Sequence, residues 1–406
     1  MSERRRFRAR YIFPVDRPPL ANATLEIEGD RIVAVHDRYD PRAVDLGNAA
    51  LIPGLVNAHA HLEFSDLDTP IAPPQPFTHW LRAVIHNRSS RTVSVEDALE
   101  QGVREIVSQG TAVVGEIATH GWSATAIAEA ETSSPPLHVV AFRELITLSR
   151  ERISAQLEAI AQHRRDCKPF ASIQPAVSPH APYSVHPELF SAAIDTAKQH
   201  RMPLSIHLAE TAGELELLKT GGGEFRDFLQ ELGVWQEHVF DDPRTPLDLL
   251  KAMTDVDHGL VVHGNYLTDI DADFLADHRN LTVIYCPRTH AYFGHPPHPW
   301  KQLLERGVSL ALGTDGRSSN PDLSLWNEMC FLRMHHADVS PATILELGTL
   351  NGARALGVDS AYGSITPGKK AAIAVIELPD DETSSPEALL LSSNSRMRGL
   401  LNHAQE

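Results

Sequence analysis

Between about Leu51 and Asp315 the chain repeats one pattern: a short apolar run rich in Val, Ile, Leu and Ala ends in a polar residue, and a helix-like segment follows. The runs are Leu55–Val56, Thr111–Ile117, Leu137–Phe142, Ala171–Val177, Leu204–Leu208, Leu260–Val262, Leu281–Tyr285 and Ser309–Gly313. Near-continuous apolar runs, rather than alternating ones, mark strands covered on both faces. Alternation of strand and helix implies a parallel sheet with right-handed crossovers. Eight such units favour an α/β fold of one kind, a closed (β/α)8 TIM-like barrel.

The segments between the runs carry helix signals. Ser94 can cap a helix whose Val95, Ala98, Leu99, Val103, Ile106 and Val107 share one face, with Asp97 placed for a capping box. Gly110 stands where that helix must stop, at a position that favours a left-handed residue. His186 to His200, opened by Pro187, and Pro299 to Arg306 read similarly. Gly221-Gly222-Gly223 has no preceding strand and no following Lys-Ser/Thr, so it reads as a turn between helices rather than a phosphate loop.

Both chain ends change character. Residues 6–50 offer short alternating segments, Ala23–Ile27 and Arg31–Val35, with Gly29-Asp30 as a hairpin turn. Residues 363–377 offer Gly363-Ser364-Ile365, a Pro367-Gly368 turn, then Ala371–Ile376. Neither end can bury a core alone, so the two are expected to pair as a small β-sandwich. The expected division is 1–52 and 361–406 for the β domain and its tail, and 53–360 for the barrel. Beyond Leu378 the Pro-, Asp- and Ser-rich tail carries no readable structure.

Charge and cysteine usage exclude some classes. With 36 Lys plus Arg against 53 Asp plus Glu, the 406-residue chain has a net charge of −17. So acidic a chain is a poor partner for nucleic acid or an anionic membrane. No stretch approaches the roughly 18 uninterrupted apolar residues of a membrane span, and the Arg-rich start lacks the apolar core of a secretory signal. Cys167, Cys286 and Cys330 lie far apart, which suits a reducing cytoplasm. The partner expected is a small-molecule substrate, and a homodimer is compatible with the composition.

The chemistry-bearing residues sit where the runs end. His59-Ala60-His61 follows the first run, and residues i and i+2 of a strand project to the same face. An HxH alone is unremarkable among 22 histidines. Position changes its weight, because catalytic groups in such barrels lie at the C-terminal ends of strands. The fifth run ends in His207-Leu208-Ala209-Glu210, the sixth in His263-Gly264, the eighth in Thr314-Asp315, and the fourth leads to Ser178-Pro179-His180. Ordinary core packing explains any one of these; five strand-end donors at one rim call for a shared ligand. Three imidazoles (His59, His61, His207) and one carboxylate (Asp315) suit a borderline divalent ion, zinc first and iron(II) second, with a position left for water. Such an ion drops the pKa of bound water from about 16 to roughly 7. Asp315 can bind the ion and accept the water's proton, Glu210 is free for general acid–base work, and His263 would orient the attacking oxygen.

Leu51-Ile52-Pro53-Gly54-Leu55-Val56-Asn57-Ala58-His59-Ala60-His61-Leu62 resembles the opening motif of the amidohydrolase superfamily, and His207-Leu208-Ala209-Glu210-Thr211 resembles the HxAE motif of its nucleobase deaminase and chlorohydrolase branch. The resemblance covers nearly the whole chain. It implies His59, His61, His207 and Asp315 as metal ligands, Glu210 as proton shuttle and His263 as a contact to the nucleophile. Two-metal relatives usually bridge their ions with a carboxylated lysine on the fourth strand or a carboxylate nearby. Here that strand has none, and Lys168 precedes it, so one ion per chain is expected. The implied activity is hydrolytic deamination of an amino-substituted N-heterocycle, purine- or adenosine-like, with release of ammonia. The alternatives are triazine dechlorination, opening of a cyclic amide, or a metal-binding homologue without catalysis; Glu210 argues against the last.

The substrate side is read from the same resemblance. Pro179-His180-Ala181-Pro182-Tyr183-Ser184 is similar to a segment whose histidine touches the substrate ring. Trp80 and Phe77, in the loop after the first strand, would form pocket wall, and Arg143 and Glu144, ending the third, would meet polar groups. After the seventh strand, many relatives carry NPxSN, whereas this chain has Cys286-Pro287-Arg288-Thr289-His290. Arg288 is then a candidate clamp for a substrate carboxylate, its planar fork matching that group. 6-Amino-6-deoxyfutalosine, an adenine nucleoside with a benzoate arm, would satisfy it.

Overall fold

The computed structural model describes residues 4–130 and 137–401. Its largest sheet is parallel and contains the strands Leu55–His61, Thr111–Ala118, His138–Leu145, Ile173–Pro179, Leu204–Leu208, Gly259–His263, Leu281–Tyr285, Ser309–Leu312 and Asp315–Gly316. They stand side by side in chain order, except that Asp315–Gly316 lies against Leu55–His61. The last two are pieces of one run: Ser309–Leu312 pairs with the seventh strand, and Asp315–Gly316 pairs with the first, Asp315 opposite Ala60. Gly313 sits at the join, where a Cβ would lie 2.9 Å from the His59 Cβ and carbonyl oxygen. Only a glycine lets the eighth strand approach the first so closely. The result is an α/β fold with a curled parallel sheet, consistent with a TIM-like barrel.

Every strand of this sheet is buried along most of its length, as the continuous apolar runs require. Alternate residues separate into two cores. Val56, Ala58, Val113, Val140, Phe142, Ala176, Leu260, Val262, Ile284 and Ala311 fill one cluster, closed by Ala353 and Leu356 near the helix Leu350–Ala355. Their neighbours Leu55, Val177, Leu204, Ile206, Val261, Val283 and Leu310 pack instead with the surrounding helices. The helix Val95–Ser108 shows the local logic: the Ser94 hydroxyl accepts from the Asp97 N–H at 3.0 Å, Leu99, Val103 and Ile106 are buried, and Gly110 turns at φ +81°. Pro187–His200 starts after His186, and Gly221–Gly223 joins the helices Ala212–Thr220 and Glu224–Glu231, both as expected.

The chain ends do meet. A four-stranded sheet runs in the order 31–36, 24–28, 4–8, 44–45, and a five-stranded one in the order 396–400, 373–377, 49–53, 11–12, 20–21. Ile373–Glu377 pairs antiparallel with Ala49–Pro53. Phe7, Leu25, Ile27, Ile32 and Leu51 from one end share an apolar cluster with Ile365, Ile373, Val375 and Leu401 from the other. The tail, illegible by composition, is structured as far as it is described: Ser385 caps the short helix Pro386–Leu390, and Arg396–Leu400 adds a strand beside Ile373–Glu377. No helix among the described residues is long and apolar enough to cross a membrane.

Candidate metal centre and active site

The strand ends converge. His59 and His61 lie on one face of the first strand, their ring centroids 5.0 Å apart, and His207 stands 4.9 Å from His59 and 5.7 Å from His61. One ligand nitrogen from each falls within 4.8 Å of the others, and this is the one such group among the described residues. His207 donates from Nδ1 to the His180 carbonyl at 3.0 Å, which turns its Nε2 lone pair to the centre. His59 Nε2 and His61 Nδ1 are buried with no hydrogen-bond partner. Buried polar atoms are rarely left so. Asp315 Oδ1 approaches His59 Nε2 at 3.5 Å and His61 Nε2 at 3.6 Å. Burial holds His61 and His207 well below the ordinary imidazole pKa, so both are neutral and able to ligate. Burial would raise Asp315, but the close approach of His59 and the charges of His61 and His263 outweigh it and keep it a carboxylate. Unpaired donors, neutral imidazoles and an ionised carboxylate fit one divalent ion. Lys168 is exposed after the helix Ile153–Cys167 and does not reach the centre.

Glu210 follows the fifth strand, and its Oε1 is 3.4 Å from His263 Nε2. Burial, reinforced by Asp315 and Glu214, pushes its pKa well up. Burial takes His263 down to about 3. A carboxyl with a raised pKa thus faces a neutral imidazole. Glu214 fixes this pair from behind: its two carboxylate oxygens accept the Ala209 and Glu210 N–H groups, each at 2.9 Å. Asp315 is held in the same manner, Ser319 Oγ donating to its Oδ2 at 2.6 Å. Asn57 ties the first strand to the eighth, donating to Thr314 Oγ1 at 2.8 Å and accepting from Thr314 N at 3.1 Å. His298 donates from Nε2 to the His263 carbonyl at 2.7 Å and serves structure, not the metal.

His61, His207, Glu210, His263 and Asp315 line the floor of a cavity of about 510 Å³. His180, Trp80 and Glu144 line it. Trp80 belongs to a helix, Phe77–Ser90, rather than to a loop, and its indole N–H donates to the Ser318 carbonyl at 3.2 Å. His180 Nδ1 is 2.6 Å from Ser184 Oγ. Glu144 is buried, and burial raises its pKa despite the nearby Arg88 and Arg143.

Two expected substrate contacts are not there. Arg143 does not line the cavity; its Nη1 donates to the Thr119 carbonyl at 3.0 Å. Successive strand residues face opposite ways, so with Glu144 turned to the mouth Arg143 must turn from it. Arg288 lies outside the cavity as well. It is the second residue of the helix Pro287–Phe293, whose direction sends the guanidinium to Asp322, at 2.6 and 2.9 Å, and to Glu328 at 2.7 Å. Glu328 also accepts from Asn320 Nδ2 at 2.6 Å, and Asn320 donates on to the Thr314 carbonyl at 2.7 Å, next to Asp315. Arg288 therefore braces the loop carrying Asp315 and is no clamp for a substrate anion. Cys286 is buried with its thiol pKa pushed well up, which fits an inert residue.

A sequence profile of the Amidohydrolase family matches residues 50–402. An aminodeoxyfutalosine deaminase of Nitratiruptor sp. is 29% identical over 369 residues, covering 89% of this chain and 87% of that protein. The crystal structure of Helicobacter pylori aminofutalosine deaminase in complex with methylthio-coformycin superimposes with a TM-score of 0.81 at 24% identity, over 97% of each chain. An adenosine deaminase from Xanthomonas campestris with bound zinc gives 0.76 at 26% identity, over 97% of this chain and 90% of that one.

Proposed function

The chain belongs to the amidohydrolase family, and on that premise we propose that it is a metal-dependent hydrolase of C–N bonds that deaminates an adenosine-like nucleoside. The observation that carries the reading is the buried Glu210–His263 pair set beside the three-histidine centre on the floor of one cavity. The deaminase names of the relatives support it. His59, His61, His207 and Asp315 would hold one divalent ion, zinc before iron(II), which when bound lowers the pKa of a water toward neutrality. Water adds at the ring carbon bearing the amino group, the C–N bond breaks, and ammonia leaves. Glu210 carries the proton from the water to the ring nitrogen and on to the departing amine, because burial raises its carboxyl pKa and suits it to take up and pass on a proton. His263 orients the attacking oxygen from 3.4 Å away from Glu210. Its low pKa keeps a lone pair available.

His180, Trp80 and Glu144 are the proposed substrate contacts. His180 is hydrogen-bonded at Nδ1 to Ser184, which leaves Nε2 for a substrate atom. Trp80 offers an aromatic wall, and Glu144 a hydroxyl acceptor. The earlier case for a carboxylate-bearing substrate rested on Arg288, whose ion pairs withdraw that support. We also take the two terminal sheets as one sandwich, built from 1–52 and 361–406 around the barrel of 53–360, and the three free cysteines as fitting a reducing cytoplasm. Ammonia release from a panel of aminated purines, pterins and nucleosides by the zinc-loaded protein tests the function. Turnover of adenine nucleosides is expected; hydrolysis confined to chlorotriazines or cyclic amides would overturn it.

A further inference from the structure

The second barrel strand, Thr111–Ala118, is buried throughout, and Glu116 is the one ionisable residue on it. The side chain is 0% exposed and does not line the cavity of the metal centre. Val113 and Ile117 pack inside the barrel, whereas Val114 packs outside with Leu62, Leu99 and Val103. Period two puts Glu116 on the side of Val114, facing the helix Val95–Ser108. An acid buried among apolar side chains costs free energy unless its oxygens are used. Both are used on one donor: the Leu62 N–H donates to Glu116 Oε2 at 3.0 Å and to Oε1 at 3.2 Å.

That N–H sits at a hinge. Pairing of the first strand with the second ends at Ala60, opposite Glu116, and the short helix Leu62–Phe64 begins directly after His61. The strand therefore stops on a metal ligand. His61 has φ −121° and ψ 88°, short of the strand region, and its side chain makes no cap to the helix. The peptide joining His61 to Leu62 sets that ψ, and with it the aim of the His61 ring toward His59 and His207. Glu116 holds this peptide where the ladder no longer does. From the other side Ser65 Oγ donates to the Leu62 carbonyl at 2.8 Å. Burial and the neighbouring Glu63 push the Glu116 pKa well up, so the site rewards an acceptor at this reach rather than a charge.

Resting on the metal centre of the preceding reading, we propose that Glu116 is a positioning residue for the ligand His61, acting through the Leu62 N–H.

The test uses the full-length protein, zinc-free and zinc-loaded. Glu116→Gln keeps an acceptor at the same reach, and Glu116→Met keeps the shape while removing the acceptor. Zinc Kd, read by competition with a chromophoric chelator and without turnover, should stay within about threefold of wild type for Glu116→Gln and weaken about 10–100-fold for Glu116→Met. Glu116→Asp, too short to reach, should weaken zinc in the same direction, and decides the matter if Glu116→Met folds poorly. Hydrogen exchange of the Leu62 amide in the zinc-free protein should quicken in Glu116→Met and Glu116→Asp and not in Glu116→Gln. Wild-type zinc affinity in Glu116→Met and Glu116→Asp overturns the proposal, even if their Tm falls, because that pattern marks a structural role alone. So does a Glu116→Gln that binds zinc as weakly as Glu116→Met. A wild type that holds no zinc refutes the metal centre itself, whereas failure of the variants alone refutes only the positioning role.

Discussion

Replacing Arg288 with methionine separates a structural brace from a substrate clamp. The side chain is 12% exposed and Glu328 0%, so the pair is buried, whereas Asp322 at 30% is partly hydrated and contributes less. Methionine keeps the aliphatic stem and removes the charge. Glu328 then retains two hydrogen bonds, from the backbone N–H of residue 288 at 2.9 Å and from Asn320 at 2.6 Å, but no counter-charge. Breaking a buried pair from one side costs about 3–5 kcal/mol. The surviving bonds put this case near the lower end, about 3 kcal/mol. Unfolding entropy of about 2.1 cal/mol/K per residue makes that a fall of about 3–4 °C in Tm for this chain. The deficit should depend on pH. Burial raises the folded-state pKa of Glu328 even with Arg288 opposing it, and losing Arg288 raises it further. A carboxyl raised on folding contributes stability that is present below its unfolded pKa and lost as pH rises through the folded one. The deficit of Arg288→Met should therefore be smaller at pH 5 than at pH 8. Adding Glu328→Gln should recover about half of it. Melting curves at both pH values, with KM for acidic and neutral substrates, decide the matter. An unchanged Tm with a raised KM for acidic substrates alone would refute the brace and restore the clamp.

Elemental analysis should find about one zinc or iron per chain, and His59→Ala or Asp315→Ala should lose both metal and turnover; two tightly held ions would break the single-ion assignment. Glu210→Gln should keep its metal while turnover falls by roughly two to four orders of magnitude, the scale of a general acid–base group; near-normal turnover would remove Glu210 from the chemistry. Glu214→Ala frees two buried N–H groups, at about 1–3 kcal/mol each, and should lower kcat tenfold or more at unchanged KM and metal content; a loss confined to Tm would leave Glu214 without a positioning role.

What the sequence disclosed was the part that depends on position along a strand. Apolar runs that ended in His59, His207, His263 and Asp315 located the centre, because in a parallel barrel all strand ends share one rim. Asn57 was within reach of the same argument, since period two places it on the face of His59 and His61. Rotation about a strand or helix axis was not legible. Arg143 and Glu144 are neighbours at one strand end, yet only Glu144 lines the cavity, and Arg288, just after the seventh strand, does not line it either. The carboxylates that hold the centre, Glu214 and Glu328, sit inside helices, where acidic residues ordinarily signal solvent. Glu328 is buried against Arg288, a long-range contact that no local pattern encodes, whereas Glu214 accepts from the N–H groups of Ala209 and Glu210 just before its own helix.

The backbone at the strand ends explains why those buried carboxylates are needed. Ala209, His263 and Asp315 adopt φ of +52°, +70° and +60°, the left-handed region that costs a non-glycine residue about 1–2 kcal/mol. All three occur where a strand must stop and its last side chain turn into the mouth. Glycine would remove the cost at Ala209, but at His263 and Asp315 it would remove the functional group. The conformation is instead fixed by bonds from outside: Glu214 accepts from Ala209 N, the His298 ring donates to the His263 carbonyl, and Ser319 holds the Asp315 carboxylate. None of the three supporting residues belongs to the three-histidine group. Strain at the reacting residues and hydrogen bonds behind them are thus two sides of one requirement, that groups from the fifth, sixth and eighth strands meet the histidines of the first.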